Sequence, residues 1–354
     1  MNFWKIKSII FLIYLLFIHK HKEVEKKELS ELKYYFSFLL HKDKPINSSL
    51  IMREKNYILK LFSKYFNKTI SENTFILNTR CNFGNCLIIL NKVLFICEII
   101  GCKNIILNKD IYWFIKRNIT ITNNNLLISV NQHENYNNNS SIIFNSFAIY
   151  YLIFTFRPEI RIHYLREEIL RNIPTIAVNP NDLYVHIRSG DTFDPMHSHK
   201  NYNQPPLCFY KNIFKNFLFR KIYIISSNKN NPLIEKLIRK NKNIIYLQKS
   251  MKEHISILIN AYKIVNSMSS FVNSIIPLNY ALEFLWEYNI YHNIEKVRQY
   301  HHDLFKYPNH KLTIFKMEPS SKYIDRMYIW KSKRNQLYLM FKEKCINEFK
   351  AYKY

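Results

Sequence analysis

The chain has 354 residues, 48% of them apolar, which is enough to bury one or two hydrophobic cores and excludes a disordered tail. Its 52 lysines and arginines against 26 acidic residues give a formal net charge of +26, which is the usual reason to suspect nucleic acid as a partner. Glycine occurs only three times while Asn, Lys, Ile, Tyr and Phe are abundant, a bias typical of AT-rich coding. Most of the charge is therefore predicted to lie on a solvated surface, with affinity for anions rather than a dedicated nucleic-acid site.

The N-terminus opens with a short apolar segment. Residues 9–18 read IIFLIYLLFI and follow Lys5 and Lys7. At about 1.5 Å per residue the uncharged run reaches only about 17 Å, so a cleaved signal peptide and a buried first helix are the alternatives. No small-x-small cleavage pattern follows, and basic residues come next. Residues 1–22 are therefore predicted to be the signal anchor of a single-pass type II membrane protein, and the charged residues 23–45 its stem.

The pattern over residues 75–107 predicts a strand, a helix and a second strand. The apolar positions of the helix are spaced three or four apart, and Gly101 follows as its C-cap. Further strands are predicted at 126–130 and 141–144, and a helix at 158–173. Pro174 then marks a boundary, so residues 46–172 are predicted to form an N-terminal α/β domain.

The second half repeats this alternation. Strands are predicted at 183–188, 221–226 and 244–247, and helices at 252–265 and at 232–240, the latter capped by Asn231. The sequence from Glu283 onward is rich in aromatic and charged residues and is predicted to be mostly helical. Residues 173–354 are therefore predicted to form a second parallel α/β domain with a helical tail.

The strand at 183–188 carries the candidate chemistry. Its aliphatic residues alternate with Tyr184, His186 and Arg188, which places these three on one face, and Gly190 follows directly. Because open α/β sheets bind ligands at the carboxyl ends of their strands, His186 and Arg188 are predicted to reach a ligand together. Arginine suits a diphosphate, and the imidazole adds a hydrogen bond, so the pair can stabilise a departing nucleoside diphosphate without a metal.

The stretch His186-Ile187-Arg188-Ser189-Gly190-Asp191 resembles the HxRRGD motif of the α1,2-, α1,6- and protein O-fucosyltransferases. Ser189 replaces the second arginine of that motif. Three shorter stretches support the resemblance, which covers about residues 75–285.

The first supporting stretch contains Asn82, Gly84 and Asn85 and is similar to a GxxGN loop near the active-site cleft. The second, Ser226-Ser227-Asn228, resembles a strand end near the donor base and ribose, with Ser227 where an aspartate is usual. The third, Ser269-Ser270-Phe271 after Met268, resembles a loop that holds the diphosphate. The set is more specific than any member.

The resemblance implies a GT-B fold, in which two Rossmann-like domains face each other. It implies an inverting glycosyltransferase that moves fucose or a related sugar from a GDP-sugar to a hydroxyl of a glycan or protein. His186 and Arg188 become the catalytic residues, and Gly190 and Asp191 join the donor-binding residues. No metal or other cofactor and no nucleic acid is expected, and the enzyme is expected in the Golgi or endoplasmic reticulum with a lumenal catalytic part.

Other interpretations of these residues stay open. His186 and Arg188 can form a purely structural pair with Asp191, and the two serines before Phe271 can simply cap a helix. A metal cluster can be built from Asp191, Asp194, His197 and His199. The six cysteines do not follow the spacing of common zinc sites, but their even number allows disulfides. The competing functions are a catalytically inactive glycan- or nucleotide-binding relative and a basic nucleic-acid-binding protein.

Overall fold

The computed structural model describes the following residues: 74–77, 82–100, 103–108, 110–121, 126–131, 141–144, 162–190, 204–239, 241–267, 269–288, 312–318, 320, 323, 333–345 and 348–353. The predicted anchor and stem, Gly101 and Asp191 lie outside this set. Within it, none of the helices has the length and apolar character needed to cross a membrane. The described residues fall into two compact units, the first ending at Asn172 and the second beginning at Ile173.

The first unit is built around a mainly parallel five-stranded sheet. Its elements are β1 (Thr74–Leu77), α1 (Phe83–Ile100), β2 (Asn104–Asn108), β3 (Ile119–Ile121), β4 (Leu126–Asn131), β5 (Ser141–Phe144), a 3₁₀ helix (Ile162–Leu165) and α2 (Arg166–Arg171). The strand order is β3-β4-β2-β1-β5, and only β3 runs antiparallel to its neighbour. One face of α1 is buried, as its spacing of apolar residues requires.

The second unit contains a seven-stranded sheet. Its elements are β6 (Leu183–His186), α3 (Leu207–Asn216), β7 (Ile222–Ile225), α4 (Pro232–Ile238), β8 (Ile244–Tyr246), α5 (Met251–Asn260), β9 (Lys263–Asn266), α6 (Ser270–Ile275), β10 (Phe284–Tyr288), β11 (Thr313–Met317), α7 (Lys333–Lys342) and β12 (Lys350–Lys353). A 3₁₀ turn (Ile276–Leu278) follows α6. The predicted α/β class with parallel sheets is confirmed.

The order of this sheet is β12-β11-β10-β9-β6-β7-β8, and every neighbouring pair is parallel except β11 and β12. Counted from β6, the six parallel strands follow the doubly wound order 3-2-1-4-5-6. The chain leaves β6 toward β7 and β8 and later returns to the other side of β6 at β9. The carboxyl ends of β6 and β9 therefore form the topological switch point, where sheets of this kind leave a crevice for a ligand.

Two predictions for the second unit were wrong. The helix predicted to run from 252 to 265 ends at Asn260, and the last part of that stretch is β9. Because no glycine or proline separates the two elements, the continuous apolar run concealed the break. The described part of the tail beyond Glu283 is not mostly helical either, since it contains three strands beside α7. Aromatic residues such as Trp286, which is 1% exposed, favour a buried strand.

A disulfide holds the end of the chain to the body of this unit. Cys208 in the first turn of α3 is bonded to Cys345, which follows α7, with their Cα atoms 5.6 Å apart. Cys86 in α1 of the first unit is also disulfide-bonded. Disulfides are therefore part of the fold of both units.

Candidate active site

The loop after β6 is held from both sides at the switch point. The Ile187 amide donates to the Ile225 carbonyl of β7 at 2.9 Å, which extends the sheet by one residue. The Arg188 amide then donates to Ser267 Oγ, just after β9, at 2.8 Å. The Arg188 carbonyl accepts from Asn231 Nδ2 at 2.9 Å. The backbone of the half-buried Arg188 is thus fixed by two side chains: Ser267, just after β9, and Asn231, at the start of α4.

Asn231 has a second role as the N-cap of α4, as predicted. Its Oδ1 accepts from the Leu233 amide at 3.0 Å, while its Nδ2 serves Arg188. Because both polar atoms of the buried Asn231 side chain are hydrogen-bonded, this residue links the start of α4 to the Arg188 loop. The sequence showed the cap but not its bond to Arg188.

Exchanging Asn231 for aspartate separates these two roles. Asn231→Asp keeps an oxygen for the helix cap but places a second oxygen against the Arg188 carbonyl, where a donor stood. We expect the free energy of unfolding to fall by about 1–3 kcal/mol, because a buried acceptor loses its partner. Urea unfolding measures this, and helix content by circular dichroism should stay unchanged. Equal stability of the variant and the wild type would contradict the assigned bond.

Ser189 and Gly190 connect the same loop to the end of β7. The buried Ser189 hydroxyl donates to Asn228 Oδ1 at 2.6 Å and accepts from the Asn231 amide at 2.9 Å. The Gly190 amide donates to the same Asn228 oxygen at 3.2 Å. Ser189, which stands where the motif has its second arginine, therefore connects the loop after β6 to the loop after β7.

Gly190 occupies a backbone conformation that residues with a side chain rarely adopt. Its φ is +69°, and a Cβ added there would stand 3.2 Å from Ser227 Oγ. The left-handed backbone and the close hydroxyl both favour a residue without a side chain. Ser227 itself is exposed and lies directly beside this turn.

His186 lies in the interior of the site. It is 6% exposed, its Nδ1 lies 3.4 Å from Ser267 Oγ, and its ring packs at 5.6 Å from the ring of Phe271. Burial, together with the charges of Arg188 and His254, lowers the pKa of His186 from 6.5 to about 3. The imidazole is therefore neutral at physiological pH, so that among this pair the positive charge belongs to Arg188.

The neutral imidazole makes stability depend on pH. Between about pH 6.5 and pH 3, His186 binds a proton in the unfolded chain but not in the folded chain. The free energy of unfolding therefore decreases as the pH falls through this window. The slope for this group is at most about 1.4 kcal/mol per pH unit. Urea unfolding at several pH values should show a shallower slope for His186→Gln. Parallel slopes for the two proteins would contradict a buried neutral imidazole.

Ser269, Ser270 and Phe271 follow β9 at the other side of the switch point. Ser269 is the N-cap of α6, with its Oγ accepting from the Phe271 amide at 3.2 Å, and Ser270 is the first residue of that helix. The capping interpretation is thus confirmed for Ser269. The Ser269 amide donates to Asn266 Oδ1 at 3.3 Å, which fixes the turn out of β9.

The other predicted residues are distributed as follows. Ser226 and Asn228 lie at the end of β7, in the same loop cluster as Arg188 and Gly190. Asn82, Gly84 and Asn85 lie at the start of α1 in the first unit, after the carboxyl end of its own strand β1. Asp191 and the other candidate metal ligands lie outside the described residues. The part of the chain that is described holds no group of three or more residues suited to a metal ion.

Sequence reasoning missed Ser267 and Asn266, because both were placed at or beyond the end of a helix rather than on a strand and its exit. The sequence signal of this strand exit is the polar pair Asn266-Ser267 directly after Ile264 and Val265. Their positions depend on β9, which pairs with β6 in the register Val185↔Val265 and His186↔Asn266.

No protein-family model matches the chain, and no curated protein matches it at a significant level. Among solved structures it is similar to the E. coli heptosyltransferase WaaC with ADP, at a TM-score of 0.36 and 10% identity over 61% of this chain and 86% of that one. It is also similar to the α-1,6-fucosyltransferase NodZ co-crystallised with GDP, at a TM-score of 0.31 and 9% identity over 58% and 92%. These similarities are weak, so the function of this chain has to be derived from its own site.

Proposed function

We propose that the protein is a glycosyltransferase that uses a nucleoside-diphosphate sugar, with GDP-fucose as the donor that the sequence motif implies. The observation that carries the proposal is the fixed backbone of Arg188 at the topological switch point. Its amide is bonded to Ser267 and its carbonyl to Asn231, so the side chain extends from a fixed point of the backbone. A cation at this edge of a doubly wound sheet suits the diphosphate of a nucleotide.

In this proposal Arg188 acts on the leaving group. When the bond between the sugar and the diphosphate breaks, negative charge grows on the phosphate oxygens. The guanidinium donates two charge-assisted hydrogen bonds to those oxygens and thereby stabilises the transition state. Because Arg188 supplies the positive charge, we expect the reaction to proceed in the presence of a metal chelator.

The neighbouring residues complete the donor site. Gly190 lets the chain turn closely beside the ligand, Ser269 and Ser270 offer hydroxyls on the β9 side, and Phe271 closes the space against His186. We propose that Asp191 is also a donor-binding residue, as the motif implies. The loop containing Asn82, Gly84 and Asn85 remains a predicted functional loop of the first unit.

We further propose that the protein is a type II membrane protein of the Golgi or endoplasmic reticulum, anchored by residues 1–22, with a glycan or glycoprotein hydroxyl as acceptor. Support comes from the cysteines, because the bond between Cys208 and Cys345 and the disulfide of Cys86 are expected in an oxidising compartment. Carbonate extraction of membranes tests the anchor. Release of the protein into the soluble fraction would contradict it.

The test of the proposed activity uses the full-length protein in detergent with EDTA present. GDP and GDP-fucose are each expected to raise its Tm, and incubation of GDP-fucose with a glycan array is expected to label at least one acceptor. An unchanged Tm with both ligands would overturn the proposal. Nucleotide binding without labelling of any acceptor would instead favour the catalytically inactive relative.

A further inference from the structure

A row of three buried polar residues crosses the second sheet beside the switch point. His186 on β6, Asn266 on β9 and Glu287 on β10 are in register on neighbouring strands, so their side chains lie on one face of the sheet. Each of the three is at most 6% exposed. Because a polar group is costly to bury without hydrogen bonds, the contacts of Glu287, which has no part in the chemistry proposed above, indicate what its carboxyl group does here.

Asn266 connects this carboxyl group to the turn after β9. The Ser269 backbone amide donates to Asn266 Oδ1 at 3.3 Å, and since a backbone N–H can only donate, the carbonyl oxygen of the side chain must face it. The NH₂ group of Asn266 donates to Asn273 Oδ1, in α6, at 2.6 Å and to Glu287 Oε1 at 3.4 Å. The Asn266 amide is therefore held between the turn at Ser269 and the carboxyl group of Glu287.

The turn that Asn266 holds carries two residues of the proposed donor site. Ser269 caps α6, and Ser270 is the first residue of that helix. Because Asn266 also contacts Asn273, it fixes both the beginning of α6 and the turn that precedes it. A rotation of the Asn266 amide would move the two serines relative to Arg188 at the end of the neighbouring strand. Binding groups that are displaced by a fraction of an ångström lose much of their effect.

We propose that Glu287 is a positioning residue of the donor site, acting through Asn266 on the loop that begins at Ser269. The inference rests on the proposed function, because it requires a nucleotide at this loop. Glu287 accepts from the NH₂ group of Asn266 and thereby favours an amide at that position, since a carboxyl group there would face a second one. In this role Glu287 needs no contact with the substrate.

The test measures Kd of the full-length protein for GDP by calorimetry, in detergent with EDTA. Asn266→Asp keeps an oxygen for the Ser269 amide but turns a second oxygen toward the carboxyl group of Glu287. We expect GDP binding to weaken by about tenfold, within the range of couplings between contacting residues. In the double variant Asn266→Asp/Glu287→Gln the glutamine NH₂ group donates to the new carboxylate, and Kd is expected to return to within about threefold of the wild-type value.

Glu287→Gln alone separates the hydrogen bond from the net charge. The glutamine can turn its oxygen toward Asn266 Nδ2, so Kd is expected to stay within about threefold of the wild-type value. If charge alone mattered, this variant would instead bind GDP more tightly by as much as the double variant recovers, and that result would overturn the proposal. If Asn266→Asp fails to fold, Glu287→Met takes its place, because it removes the acceptor of Asn266 at similar length. We expect it to weaken GDP binding by more than about fivefold, and an unchanged Kd would contradict the proposal.

Asn260→Asp is the matched control for a merely structural effect. Asn260 ends α5 at the opposite edge of the sheet, just before β9 begins, and its Nδ2 donates to the Ser256 carbonyl at 2.9 Å. The same exchange therefore removes a donor there as well, and it should lower Tm but keep the wild-type Kd for GDP.

The outcomes separate the positioning role from the proposed function. If Asn266→Asp binds GDP as tightly as the control, or if the double variant does not recover its loss, the positioning role is wrong and the proposed function stands. If the wild type itself does not bind GDP, the proposed function fails, and this inference fails with it.

Discussion

Replacing Arg188 with alanine is expected to remove the stabilisation of the protein by GDP and to lower the rate of sugar transfer by about 100- to 1000-fold. The guanidinium is the cation that we place at the switch point, where the adjacent imidazole is neutral because burial lowers the pKa of His186 to about 3. Without Arg188 the developing charge of the leaving diphosphate would lose its main stabilising partner. Thermal denaturation with and without GDP, and transfer from GDP-fucose, are the two measurements.

Arg188→Lys and Arg239→Ala make the Arg188 result interpretable. Lysine keeps the charge but lacks the planar fork, so we expect intermediate GDP binding. Arg239 is exposed at the end of α4 and forms a 3.4 Å surface ion pair with Glu235, so its loss should leave both binding and transfer at the wild-type level. If Arg188→Ala keeps full GDP binding while remaining folded, the donor site has been placed at the wrong strand end.

The position of the candidate site could be predicted from the sequence because its local signals are strong. A short stretch of alternating aliphatic residues leads to Arg188, and Gly190 follows it in a chain with three glycines. Gly190 has a φ of +69°, which explains why glycine is needed there. The helix cap at Asn231 could also be predicted from the sequence, since an asparagine before Pro232 is a frequent helix start. Each of these features depends only on neighbouring residues.

The connections between strands could not be predicted in the same way. Ser267 reaches Arg188 only because β9 lies beside β6, although the two residues are 79 positions apart. Strand β9 was hidden in the apolar run that begins with α5. Alternation was also misleading at β6, because its four residues are all buried in a sheet covered on both faces. The two-residue alternation predicted that His186 shares a face of the strand with Tyr184. It did not predict that His186 is buried.

Ser189 shows how the structure changes the meaning of a sequence departure. From the motif alone, the serine is the loss of an arginine and thus a reason to expect weaker binding. In the structure the hydroxyl joins Asn228 and Asn231, which belong to two other parts of the site. A small polar residue at this position therefore contributes order to the loop, and Arg188 is the arginine of the motif that this chain retains.

Removing the disulfide between Cys208 and Cys345 is expected to lower the free energy of unfolding by about 2–5 kcal/mol. The bond closes a loop between residues 137 positions apart, so the unfolded chain gains considerable conformational freedom without it. It also ties α3 to the segment between α7 and β12, the edge strand of the sheet. Urea unfolding of the double variant Cys208→Ser/Cys345→Ser is the measurement.

Lys344→Ala is the control for this variant, because Lys344 is exposed beside Cys345 and its loss should not change stability. A double variant as stable as the control would show that the bond contributes nothing to the fold.

The same cysteines also test the cellular location. If both are blocked to a maleimide in freshly lysed cells until a reductant is added, the protein has matured in an oxidising compartment, as a lumenal glycosyltransferase requires. Immediate labelling of both thiols would contradict that location, and the apolar segment at residues 9–18 would then need another explanation.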